Sequence, residues 1–61
     1  GGTVSKRKKA RRWAIIVRAG EDFVSAVLVH DVRESDTVRA YVVASSPLGA
    51  LVRFRRGEVE R

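Results

Sequence analysis

The sequence predicts an all-β domain: a small antiparallel sheet of about four or five strands, or an open barrel of SH3-like or OB-like type. Three observations carry this. The apolar runs are short and dominated by β-branched residues. Gly, Pro, Ser and Asp bound each run. Within several runs arginine alternates with apolar residues, the period of a strand with two unlike faces.

The first strand is expected from about Arg12 to Ala19, around Trp13-Ala14-Ile15-Ile16-Val17. Gly20-Glu21-Asp22 supplies a turn, and Phe23 to His30 the second strand. Asp31 to Asp36 reads as a loop and Thr37 to Ser45 as the third strand. Ser35 or Asp36 could instead cap a helix over residues 36–46. Thr37, Val38, Tyr41, Val42 and Val43 all favour strand there. Ser46-Pro47-Leu48-Gly49 has the Pro and Gly placement of a type I turn. Ala50 to Arg56 is expected as a fourth strand closed by Gly57. Residues 1–11 are expected to be a cloning remnant (Gly1 to Val4) and a flexible basic arm, residues 12–57 a single β domain, and residues 58–61 a frayed tail.

Alternation then assigns two faces. One is expected to hold Trp13, Ile15, Val17, Val38, Val42, Val52 and Phe54 as the core. Phe23 is expected in the core as well. The other face carries Arg18, Arg39, Tyr41, Arg53 and Arg55, with Ile16 and Val43 to be covered by a chain end or a second copy.

At 61 residues the chain is one domain with a thin core. It contains no cysteine and one histidine, so no disulfide, thiolate site or histidine cage can staple it. Absence of cysteine fits an intracellular protein. The apolar run from Trp13 ends at Arg18, too short for a signal segment or a membrane span, and a soluble chain with no membrane partner is expected.

Charge is the most informative property. The formal net charge is +6, from 13 Lys and Arg against 7 Asp and Glu. Lys6, Arg7, Lys8, Lys9, Arg11 and Arg12 form a positive run with no acid among them. Removing these six leaves 13 − 6 = 7 basic residues against 7 acidic ones, so the chain beyond Arg12 is formally neutral. Every lysine lies in the arm, and every later basic residue is arginine. Lysine suits loose electrostatic contact, whereas the planar arginine fork pairs with phosphate oxygens and stacks on bases.

These features point to nucleic acid. A run such as Lys6 to Arg12 stays solvated, attracts polyanions and releases condensed counterions when it meets phosphates. A solubilising or localisation tail has the same composition. Arg18, Arg39, Tyr41, Arg53 and Arg55 would form a row of cations with an aromatic for stacking; the alternative is an ordinary solvated sheet face. Trp13 reads as a core anchor, with a stacking platform or wedge beside the arm as the alternative. His30-Asp31 is expected to be structural, because neighbours on a strand face opposite ways and no nucleophile or pocket accompanies them. No Gly-rich phosphate loop, metal-ligand spacing or nucleophile elbow is present, so neither an enzyme nor a cofactor is expected.

The Ser5-Lys6-Arg7-Lys8-Lys9 start, the short cysteine-free chain and the Val/Arg/Glu-rich body resemble the small crenarchaeal chromatin proteins. These comprise the Sul7-type SH3-like barrels and the short basic chromatin protein of Thermoproteales. The resemblance covers the whole chain in size and composition. It implies a monomeric, β-rich, archaeal and thermophilic binder of single- and double-stranded DNA, cytoplasmic and associated with the nucleoid. The body departs from the Sul7 type in having no lysine and only Tyr41 as an aromatic on the arginine face. The expected partner is therefore nucleic acid, DNA before RNA, held by a monomer or homodimer with little sequence preference. The chain has no Asn or Gln to read bases.

Overall fold

The computed structural model describes residues 9–60. The elements are β1 (Arg11–Val17), β2 (Val24–Leu28), a 3-10 turn (Val29–Asp31), β3 (Thr37–Ala44) and α1 (Pro47–Arg55). The domain is thus mostly β, a three-stranded antiparallel open sheet in the order β2-β1-β3 with one short helix.

β1 is the central strand and pairs with both others. Trp13 lies opposite Leu28 and Val42, and Ile15 opposite Ala26 and Ala40. The β1–β2 turn is closed by a hydrogen bond from the Glu21 N–H to the Arg18 carbonyl at 2.9 Å. Gly20 takes φ +84° at the third turn position, where a side chain would be strained. In β3, Ala40 pairs with Ile15 but Val38 with Ile16, which leaves Arg39 as the extra residue of a bulge.

β2 and β3 run parallel on either side of β1, so their connection must return along the length of β1. Leu28 lies level with Trp13, and Thr37 lies level with Val17. The helix occupies the Ile15 side of the sheet. On the other side Ala14 and Ile16 have no exposed surface, and the 3-10 turn that begins the return path contacts β1. Val32, on that path, is itself half-buried. Ile16, expected to be covered by a chain end or a second copy, is thus already buried within the single chain, whereas Val43 is 44% exposed.

The core under the helix is built from Ile15, Val42, Ala44 and Ala50, with Trp13, Ala26, Ala40, Leu51, Phe54 and Val59 packed against it. Small residues at Ala40, Ala44 and Ala50 let the helix approach the sheet closely.

Several expectations are corrected. Ala50 to Arg56 is not a fourth strand but most of α1, and Ser46-Pro47-Leu48-Gly49 is a helix start rather than a free turn. The Ser46 hydroxyl caps the Gly49 N–H at 3.1 Å, and Pro47 fills the first turn, where a missing N–H costs nothing. At the other end the Gly57 N–H bonds the Phe54 carbonyl, the Glu58 N–H bonds the Arg53 carbonyl, and Gly57 takes φ +81°. This is a Schellman stop. Among the described residues the sheet has three strands and is open, so four or five strands and the SH3-like or OB-like type are not confirmed.

Val38 moves to the Ile16 side because of the bulge, Val52 is 46% exposed on the helix, and Phe23 is 58% exposed beside the turn. The second strand stops at Leu28, two residues before His30. The tail is held as far as Glu60, whose N–H bonds the Tyr41 carbonyl at 2.8 Å, while Val59 packs on the core. Residues 36–46 contain strand, as expected, over Thr37–Ala44.

Candidate nucleic-acid interface

Consecutive strand residues face opposite ways, and this divides the basic start of β1. Arg12 points to the side of Ala14 and Tyr41. Its guanidinium lies 4.5 Å from the centroid of the Tyr41 ring. Its Nε lies 3.1 Å and 3.2 Å from the two Glu60 carboxylate oxygens. Arg12 is thus stacked and paired within the domain, although its side chain is 53% exposed.

Arg11 points the other way, toward the start of the helix. Together with Lys9, Trp13, Ser45, Ser46 and Pro47 it lines an open groove of about 410 Å³. Trp13 forms the inner wall. Its Nε1–H donates to the Ala44 carbonyl at 2.7 Å, and part of the ring packs against the core. Among the described residues no acid lines this groove. Among the described residues neither Lys9 nor Arg11 is in an ion pair.

The predicted arginine row is not assembled. Arg18 follows the end of β1 at the Glu21 turn, and Arg39 sits at the β3 bulge. Tyr41 lies across from Ala14 and is engaged by Arg12. Arg53 and Arg55 are on α1, which packs on the opposite side of the sheet from Tyr41. Glu58 approaches Arg53 at 4.0 Å and Arg56 at 3.8 Å, distances of weak surface pairing. Lys6, Arg7 and Lys8 lie outside the described residues.

What the structure brings together instead is one basic end of the sheet. Lys9 and Arg11 continue there from the run that precedes them in sequence. Two acids also reach this end: Glu60 pairs with Arg12, and Asp31 lies in the 3-10 turn that follows Leu28, the partner of Trp13; Glu21, Asp22, Glu34 and Asp36 lie in the other connections, and Glu58 beside Arg53 and Arg56. The Arg33 N–H bonds the Asp36 carboxylate at 3.0 Å, tying that acid into its own loop. His30 and Asp31 are exposed, 3.9 Å apart in the 3-10 turn. Among the described residues no three His, Asp or Glu side chains cluster as a metal site, and no helix is long and apolar enough to cross a membrane.

Sequence reasoning misses Ser45, Ser46 and Pro47 as part of a site. The Ser-Pro pair, a preferred helix start, is the signal that could have found them. The chain matches no protein-family model, no curated protein and no solved structure.

Proposed function

We propose that this domain is a non-enzymatic, largely sequence-independent binder of nucleic acid, DNA before RNA, holding phosphates with arginine and lysine. The observation that carries the reading is a run of positive charge, Lys6 to Arg12, with no acid among its residues in sequence, whose Lys9 and Arg11 line a groove with no acid among its described lining residues. The resemblance to small crenarchaeal chromatin proteins supports a nucleoid role in the cytoplasm. The absence of Asn and Gln from the sequence supports low specificity. Arg18, Arg39, Arg53 and Arg55 become secondary phosphate ligands on separate surfaces.

The test is a salt series on duplex DNA, single-stranded DNA and RNA, comparing the full chain with one beginning at Arg11. On duplex DNA the logarithmic slope falls by about 0.9 for each phosphate that is no longer neutralised. The shortened chain is expected to bind with a smaller slope. Loss of all binding at every salt concentration would confine the activity to the arm. Stronger binding to structured RNA than to DNA would make the domain a ribonucleoprotein module.

A second reading has one observation in its favour. Leu48 and Val52, one helical turn apart, are 71% and 46% exposed on the outer side of α1. A protein partner or second copy seated there would survive high salt.

A further inference from the structure

The groove beside Trp13 holds more than phosphate-binding charge. We propose that it is a subsite for one unstacked nucleotide of a single strand, with the base against the Trp13 indole and the flanking phosphates on Arg11 and Lys9. This rests on the nucleic-acid reading above and adds what part of the ligand the groove selects.

Three features of the groove argue for it. The indole is pre-positioned: the bond from Nε1 to the Ala44 carbonyl and the packing on the core fix the ring, so little side-chain freedom is lost when a base meets it. Arg11 shares a side of β1 with Trp13, two residues away, or roughly 6.8 Å along an antiparallel strand. Both therefore face the same groove, as neighbours on that side of the strand. The other lining residues are Lys9, Arg11, Ser45, Ser46 and the apolar Pro47, and the exposed Ser45 hydroxyl can bond a phosphate or a base edge.

The site does not depend on the helix end. Pro47 has no N–H, and the Gly49 N–H is already taken by Ser46. The volume, about 410 Å³, is in the range of small-ligand sites, roughly 300–1,000 Å³. A duplex covers its bases with their neighbours and offers the indole a free π-face only at an end or an extruded base. A single strand offers one at every nucleotide.

Trp13 is the sole tryptophan, so its emission reports on this groove alone. The full chain would be titrated with a short oligothymidylate, with inorganic polyphosphate and with a blunt DNA duplex. Trp13 emission would be read beside the anisotropy of labelled strands. The oligothymidylate is expected to quench emission saturably, with the same midpoint as anisotropy. Polyphosphate is expected to compete for the strand without quenching.

Trp13→Leu should weaken single-strand binding on the order of tenfold and duplex binding far less. Should that variant fail to fold, Ser45→Leu, at an exposed position, narrows the groove with a bulky side chain and leaves its charge unchanged. It should move the quenching midpoint to higher oligothymidylate while duplex affinity changes far less. Equal quenching by polyphosphate would reduce the groove to an anion site. Tight single-strand binding with unchanged Trp13 emission would place the nucleic-acid surface elsewhere and overturn the subsite alone. Absence of binding to any of the nucleic acids would overturn both readings.

Discussion

Arg11 and Arg12 are neighbours in the chain with the same chemistry and opposite circumstances. Arg12 is stacked on Tyr41 and paired with Glu60 from the far end of the chain. Arg11 opens into a groove with no acid among its described lining residues. The alternation of a strand is enough to make one of two identical side chains a structural tie and leave the other available to a ligand. A count of basic residues misses this distinction, because an arginine already holding a carboxylate must give it up before it can hold a phosphate.

The contrast exists only if β1 is pinned, and the largest test attacks the pin. Ile15 has no exposed surface and lies under the helix. Ile15→Ala should cost about 2–5 kcal/mol in urea unfolding, enough to threaten a domain this small. A loss under about 1 kcal/mol would mean the helix is not seated on this strand. Ser46→Ala removes the cap that sets where the helix begins, beside the groove, and should cost about 1 kcal/mol.

Binding separates the two arginines directly. Arg11→Ala should lower the salt slope on duplex DNA by about 0.9, whereas Arg12→Ala should lower it by less. Equal losses would erase the distinction. The stabilities should run the other way: Arg12→Ala removes an exposed ion pair and the stacking on Tyr41, about 0.5–1 kcal/mol. Arg11→Ala should stay within about 0.5 kcal/mol of the parent. The smallest effect sharpens the contrast. Glu60→Gln should cost no more than a few tenths of a kcal/mol while releasing Arg12, so the salt slope should rise slightly.

The three strands were legible because Val, Ile, Thr and Tyr crowd them and turn residues separate them. The helix was not. Over Ala50 to Arg56, Val52 and Phe54 alternate with Arg53 and Arg55 as in a strand. The same segment places Ala50, Leu51 and Phe54 on one helical face. A nine-residue element is too short for the two periods to separate. The deciding signals lay at its ends, Ser46-Pro47 before it and Gly57 after it, and both also read as turns.

The candidate site was legible in its charge but not in its assembly. Arg11 and Trp13 are close in sequence, yet the groove needs Ser45 to Pro47, which follow the end of β3. The Arg39 bulge and the Glu60 tie to Arg12, 48 residues apart, left no local pattern to read.

The strand in the middle of the sheet is the first of the three described strands in sequence, and this bears on how the sheet is made. The β1–β2 hairpin closes locally, but the second edge of β1 has no partner until Thr37 to Ala44 is available. The Trp13 bond to Ala44 spans 31 residues and the Arg12 tie to Glu60 spans 48. Non-local closures of this kind slow folding relative to a helical bundle of equal size. For that interval an apolar strand shows an open edge, the geometry on which chains associate wrongly. The positive run just ahead of it would hold such half-folded chains apart by mutual repulsion, giving the same residues a use before any ligand is met.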